Sequence, residues 1–251
     1  MPKFIWYDLT TPDMKASADF YAHIVGWSVR DSGMPGATYS LLAANGIDVG
    51  GLMPPPPGMD MPPVWTGYIY SADVDRDAAR VAKLGGAVCR PPSDIPGVGR
   101  FAVLADPSGA VFIAFKPNSS EEPKAVPDGT PGHIGWRELM SADWQKDFAF
   151  YAALFGWKKT EAMDMGPMGT YQLFETGPGQ TGGMMTKPSG DPTPPHWNYY
   201  FNVDSMAAGI ARAKARGGKV TMDPMEVPGG GFACNCLDPL GAMFSLFSSN
   251  A

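Results

Sequence analysis

The chain carries few residues able to do polar chemistry at close quarters: three histidines, His23, His133 and His196, and three cysteines, Cys89, Cys234 and Cys236. Neutral imidazole with carboxylate is the donor set that holds a divalent metal and leaves positions open for a substrate. His133, His196 and Glu138 have those types. Their spacing works against them. His133 is an odd number of residues from Trp136, so on a regular strand it faces away from Trp136 and Glu138, and His196 sits at a strand start just after Pro194-Pro195. His23 lies off the apolar stripe of its helix, near the end, where a surface or capping role is expected. Cys234 and Cys236 alternate, which turns both thiols to one strand face, the pattern of small core residues. The carboxylates are sharper. Asp8 lies two residues beyond Trp6, and Glu138 two beyond Trp136, so each shares a strand face with an indole. A buried carboxylate needs a partner. Asp8 and Glu138 are therefore candidates for an acid or base, or for acceptors of hydrogen bonds from Tyr or Trp. The glycine runs PGVGR and PGGGF lack the Lys-Ser/Thr ending and the following helix of a phosphate loop, and read as turns. No Ser-His-Asp or Cys-His arrangement is legible from spacing.

The elements that must position these groups occur twice. FYAHIVGW, Phe20 to Trp27, returns as FYAALFGW, Phe150 to Trp157. Trp6, Leu9, Phe20, Tyr21, Gly26 and Trp27 each have the same residue 130 positions later. From Tyr39 onward the offset is 132, pairing Tyr39 with Tyr171, Gly50-Gly51 with Gly182-Gly183, Trp65 with Trp197, Tyr68 with Tyr200, and Asp106-Pro107 with Asp238-Pro239. Order and spacing preserved on both sides mark a true repeat. The expected organisation is a first domain over 1–117, a linker over 118–131 in a polar, Pro- and Gly-rich stretch, and a second domain over 132–251.

Within a repeat, residues Lys3 to Leu9 read as a strand. Thr11-Pro12-Asp13 opens a helix, with Asp13, like Asp143 in the second copy, as its cap. Ala16, Phe20 and Ile24 form the apolar stripe, and Gly26 ends the helix. Strands are expected near Trp27 to Arg30, Thr38 to Ala43 and Ile47 to Met53. The order then restarts with a strand over Val64 to Ser71, a helix over Asp75 to Leu84, and strands near Ala87, Arg100 to Leu104 and Ala110 to Phe115. Each repeat is two βαβββ units, an α+β arrangement expected to form a curved mixed sheet with a concave pocket.

Composition bounds the function. The 251 residues are 44% apolar and 18% charged, with net charge −6. That balance argues against nucleic acid as a partner, since sequence-independent binding needs clustered Lys and Arg. No apolar run reaches the roughly 20 residues that span a bilayer, and the first residues lack the pattern of a signal peptide. The expectation is a cytoplasmic protein with no membrane partner. It is expected to be a monomer, as an internal pseudo-dimer, or a homodimer.

The repeated FY and GW around the first helix, with DPSGAVFIAF in one copy and DPLGAMFSLF in the other, resembles the vicinal oxygen chelate superfamily, in particular its tandem glyoxalase- and bleomycin-resistance-like members. The resemblance implies a divalent metal held by His, His and Glu, so that vicinal substrate oxygens can chelate it. Carried over, the three positions fall on Trp6, Thr66 and Ile113 in one repeat and on Trp136, Asn198 and Ser245 in the other. None is a usual ligand. No metal or other cofactor is therefore expected, with a divalent metal at a displaced site as the alternative. Trp6, Asp8, Tyr39, Met53 and Tyr68 in one copy, and Trp136, Glu138, Tyr171, Met185 and Tyr200 in the other, would give aromatic and soft apolar walls with one carboxylate each, a lining suited to a small, flat, apolar ligand. Three functions stand: a metal-independent binder of such a molecule; a lyase, isomerase or dioxygenase of the same superfamily using Asp8 or Glu138 as acid or base; and an interaction protein whose cavities are filled.

Overall fold

A computed structural model of the chain describes residues 2–120, 124, 126–177, 179 and 181–251. Residues 121–123 and 125 of the expected linker lie outside them. The first repeat runs β1 (Phe4–Thr10), α1 (Met14–Val25), β2 (Ser28–Asp31), β3 (Ser40–Ala44), β4 (Ile47–Met53), β5 (Val64–Tyr70), α2 (Val74–Val81), β6 (Ala87–Ile95), β7 (Gly99–Ala105) and β8 (Val111–Pro117). The second runs β9 (Ile134–Ser141), α3 (Trp144–Phe155), β10 (Lys158–Asp164), β11 (Thr170–Glu175), β12 (Gly182–Thr186), β13 (His196–Asn202), α4 (Met206–Ala215), β14 (Lys219–Glu226), β15 (Phe232–Leu237) and β16 (Met243–Ser248).

Each repeat contributes one open, mixed, eight-stranded sheet. The strand orders are β2-β3-β4-β1-β5-β8-β7-β6 and β10-β11-β12-β9-β13-β16-β15-β14. The parallel pairs are β1 with β4, β5 with β8, β9 with β12 and β13 with β16. These are the pairs that a crossover helix permits.

Local chemistry sets the helix limits. The Asp13 carboxylate accepts from Ala16 N at 2.9 Å, and Asp143 accepts from Gln145 N and Lys146 N. Gly26 and Gly156 then stop α1 and α3 in the left-handed region, at φ 77° and 76°. The buried stripe of α1 is Ser17, Phe20, Tyr21, Ile24 and Val25 rather than one beginning at Ala16. Ser17 can be buried because its hydroxyl pairs with that of Thr11 at 2.9 Å. The expected Asp75 to Leu84 helix is α helix only to Val81; Ala82–Leu84 is a 3₁₀ turn closed by Gly85.

Packing divides the chain differently from the repeat. One compact unit comprises Met1–Trp6, Thr66–Pro123 and Arg137–Trp197; the other comprises Tyr7–Trp65, Lys124–Trp136 and Asn198–Ala251. Each draws on both sequence copies. In the first, Trp197 Nε1 donates to Tyr151 Oη at 2.9 Å, and Tyr151 Oη donates to Asp106 Oδ2 at 3.1 Å. In the second, Trp65 Nε1 donates to Tyr21 Oη at 2.9 Å, and Tyr21 Oη donates to Asp238 Oδ2 at 3.2 Å. The repeated Phe-Tyr, Trp and Asp-Pro motifs are thus the parts of two equivalent relays, each taking Trp and Tyr from one copy and Asp from the other. Burial, then the neighbouring carboxylate, holds both phenols far above the ordinary tyrosine pKa, so they remain donors. The other oxygen of each carboxylate accepts two backbone N–H groups of its own turn, from Ser108 and Ala110 or from Leu240 and Ala242. Aromatic rings close around the relays. The Tyr151 and Trp157 rings stack at 4.8 Å, and Trp65, Trp27, Phe201 and Phe244 surround Tyr21. A buried phenol or indole N–H without a partner would cost about 1–3 kcal/mol, so relay and ring packing stabilise together.

Among the described residues, no helix is long and apolar enough to cross a membrane.

Candidate functional site

The two carboxylates occupy matching settings. In the second unit, Asp8 on β1 pairs in register with Gly51 on β4. Tyr39, immediately before β3, lies against Gly51 and donates to Asp8 Oδ1 at 2.7 Å. In the first unit, Glu138 on β9 pairs with Gly183 on β12, and the Tyr171 ring lies over Gly183. A Cβ on either glycine would overlap the tyrosine ring above it. The preceding glycines turn the other way, against the carbonyl oxygens of Tyr7 and Arg137. The repeated Gly-Gly is therefore a demand for close approach on both faces of one strand. Asp8 is 3% exposed and Glu138 8%. A carboxylate buried to that degree is held by donors, and in Asp8 one of them is the Tyr39 phenol.

The positions carried over from the family differ sharply between the repeats. In the first unit, Trp6 packs with Ile5, Ile95 and Val103 against Tyr68, Phe101, Ile113 and Phe115. Tyr68 and Ile113 are register partners, and the Tyr68 and Phe115 rings meet edge to face at 5.6 Å. Thr66 is half-buried on β5. In the second unit, Asn198 Nδ2 donates to Ser245 Oγ at 2.6 Å, and Ser245 Oγ donates to Asn235 Oδ1 at 2.6 Å. Asn198 Oδ1 is buried with no hydrogen-bond partner. Asn198 and Ser245 meet directly, as two positions sharing one metal would have to. Their types do not suit a metal of the family's kind. Trp and Ile carry no donor atom, and Thr, Asn and Ser are neutral where imidazole and carboxylate are needed. Among the described residues, no group of three His, Cys, Asp or Glu side chains is placed to hold a metal ion.

The remaining candidates scatter. Met53 ends β4 opposite Thr10, Met185 is buried on β12 opposite Met140, and Tyr200 is buried on β13 opposite Ser245. Trp136 is half-buried. His133 precedes β9 in the second unit, whereas His196 and Glu138 belong to the first. Burial lowers the pKa of both imidazoles; His133 Nε2 has no partner, and His196 Nδ1 lies 2.8 Å from Pro194 O. Cys234 and Cys236 are buried with their sulfurs 3.8 Å apart.

Two features escape sequence reasoning. Asn235 sits between two buried cysteines, so strand alternation turns it to the opposite face, toward Ser245; parity alone was a usable signal. Asp147 carried no such signal, and Asp106 only its place in the repeated Asp-Pro. Asp147, on α3, is fully buried, accepts from Ser141 Oγ through Oδ2, and has no partner for Oδ1. Burial, then the nearby Asp147 charge, pushes Asp106 up to about 7. Burial also raises Asp147. At the position equivalent to Asp147, the other repeat has Ser17.

The family profile described as "Glyoxalase/Bleomycin resistance protein/Dioxygenase superfamily" matches residues 3–113 and 130–246. "Putative glyoxylase CFP32" of Mycobacterium tuberculosis (strain CDC 1551 / Oshkosh) is 35% identical over 245 residues, 96% of this chain and 92% of that protein. "Anthracycline biosynthesis protein DnrV" of Streptomyces peucetius is 35% identical over 256 residues, covering 96% and 91%. The crystal structure of a Mn(II)-bound glyoxalase from Novosphingobium aromaticivorans aligns with TM-score 0.65 at 19% identity, covering all of this chain and 82% of that one. At that identity the likeness is one of fold.

Proposed function

Because the chain belongs to the glyoxalase/bleomycin resistance protein/dioxygenase superfamily yet has neutral or apolar residues at the family's metal positions, we propose that it binds a small, mostly apolar or aromatic molecule without a divalent metal. The carrying observation is the pair of substituted sites. Trp6 and Ile113 are built into an apolar cluster, and the Asn198 amide donates to the Ser245 hydroxyl. An apolar wall with a few placed polar groups is the ordinary make-up of a small-molecule site. Trp6, Asp8, Tyr39, Met53, Tyr68, Trp136, Glu138, Tyr171, Met185 and Tyr200 remain the proposed ligand-binding residues. That one relative is named for anthracycline biosynthesis supports a polycyclic aromatic ligand, while another carries a glyoxylase name.

The test uses protein purified without a histidine tag. Elemental mass spectrometry is expected to find no stoichiometric Zn, Fe, Ni or Mn. Binding of planar aromatic probes, followed by tryptophan fluorescence, is expected to be unchanged after a chelator. About one tightly held metal per repeat, or binding abolished by chelation, would overturn the proposal.

A buried phenol–carboxylate pair favours a second reading, in which Asp8 or Glu138 acts as acid or base. On that reading, mass spectrometry would detect product formed from a bound substrate by the parent protein and lost in Asp8→Asn or Glu138→Gln.

A further inference from the structure

We infer that the second repeat has, at the position of the family's metal, a neutral hydrogen-bonding subsite for the hydroxyl group of a bound aromatic molecule, formed by Asn198 with Ser245 and Asn235 behind it. The inference rests on the aromatic-binding reading above and adds the polar group that the ligand must present.

Ser245 Oγ lies 2.6 Å from Asn235 Oδ1 and 2.6 Å from the Asn198 amide. A hydroxyl has one hydrogen to donate. With that hydrogen given to Asn235, only the NH₂ end of Asn198 can face Ser245, and the carbonyl end is turned away. That end, Asn198 Oδ1, has no partner although Asn198 is 5% exposed. Reversing both amides reverses the chain: Asn235 would donate to Ser245, Ser245 to Asn198, and the Asn198 NH₂ would be left over in the same place. Asn235 Nδ2 lies 4.0 Å from Met222 Sδ, an acceptor, which favours the first sense. In either sense one end of the Asn198 amide faces away from the network unpaired.

The ligand group follows from that orphan. A hydroxyl both donates and accepts, so it completes the network whichever way the chain runs. A carbonyl or ether serves only the less favoured sense, and an apolar edge serves neither. All three side chains are neutral, so the subsite selects a neutral hydroxyl and not an anion. The equivalent positions of the first repeat, Thr66 and Ile113, provide no such network, Ile113 lying within the apolar cluster.

The experiment uses the full chain, with 2-naphthol and naphthalene as probes, titrated by tryptophan fluorescence into the parent, Asn198→Leu, Ser245→Ala and Thr66→Val. The parent should bind 2-naphthol about tenfold more tightly than naphthalene. Asn198→Leu should keep naphthalene affinity and reduce the preference to within about twofold, and Ser245→Ala should reduce it partly, since the amide then loses its orientation. Thr66→Val should keep it whole. Without ligand, Asn198→Leu should melt no lower than the parent, because it removes an unpaired buried acceptor. Equal binding of the two probes by the parent overturns the subsite and leaves aromatic binding standing. Failure of both probes to bind overturns both. A preference that survives Asn198→Leu, or a preserved preference in Ser245→Ala should the leucine variant fail to fold, assigns the orphan to an ordered water and overturns the subsite.

Discussion

The same three positions in the two repeats have gone opposite ways. Trp6 and Ile113, with Thr66 half-buried between them in sequence, belong to a face dominated by Tyr68, Phe101 and Phe115. Asn198 and Ser245, with Trp136, belong to one that carries a hydrogen-bonded amide–hydroxyl chain. Around them, little has changed. The Trp–Tyr–Asp relays use repeat-equivalent residues, and Gly51 and Gly183 each lie under a tyrosine. The difference teaches that the groups holding the fold are separate from the groups lining its sheets. The first kind is over-determined by burial and hydrogen bonding, so it resists change. The second differs between the two copies.

The largest expected effect tests the sameness. Gly51→Val and Gly183→Val should each cost about 3 kcal/mol in urea unfolding, because the new side chain overlaps the tyrosine ring above it. Equal costs support equivalence of the two copies at these glycines. A cost confined to one copy would break it.

A pH titration of stability tests the difference. Asp106, with an ordinary value of 3.8, is pushed up to about 7 in the native protein, first by burial and then by Asp147. The unfolded chain releases this proton near pH 4 and the native chain holds it to about pH 7. Between those values the native state binds more protons, so stability falls as pH rises and levels off above the native pKa. Asp147 and Asp238 are raised by burial and act in the same direction. Thermal melts should show the protein more stable at pH 5.5 than at pH 8, by on the order of 2 kcal/mol. Asp147→Ser, which installs the residue of the other repeat, should flatten the slope. A flat profile in the parent would show that the two units do not differ in this way.

The smallest effect sharpens the comparison of relays. Tyr21→Phe and Tyr151→Phe each remove one acceptor from an indole and one donor from a carboxylate, and should cost about 1–2 kcal/mol by denaturant unfolding. Both should also steepen the pH dependence, because each phenol's hydrogen bond holds its carboxyl down and losing it raises that carboxyl further. The steepening should run to higher pH in Tyr151→Phe, since the Asp147 charge raises Asp106 in addition to burial. A profile unchanged from the parent in either variant would contradict this role of the phenol.

Much of the fold was legible because its signals are local. Asp13 caps a helix within three residues, Gly26 stops it through its own φ, and the βαβββ order follows from alternation and stripe. The repeat was legible because order and spacing need no structure to be compared. The carboxylate–indole pairing of Asp8 with Trp6 was likewise a matter of parity, whereas the Tyr39 phenol reaching Asp8 depends on a loop whose path parity does not set. Ser17 in the stripe of α1 required knowing which neighbour satisfies a polar group, whereas the face of Asn235 was open to parity.

By itself the sequence determined that one βαβββ pair is written twice and where its first helix begins and ends, and the positions that the family resemblance marks are not His, His and Glu in either copy. It marked Tyr21, Trp65 and Asp106 as recurrent without saying what they touch. Only the tertiary structure decided that Tyr21 meets Asp238 and Tyr151 meets Asp106, so that sheets follow the repeat while compact units draw on both copies. The physical reason is that two identical sets of donors and acceptors can be satisfied within a copy or between copies with the same local chemistry. The choice rests with long-range packing of rings such as Tyr21, Phe201 and Phe244, which leaves no mark on residue order. The placing of Asp147 beside Asp106 follows from that same choice; at the position equivalent to Asp147 the other repeat has Ser17.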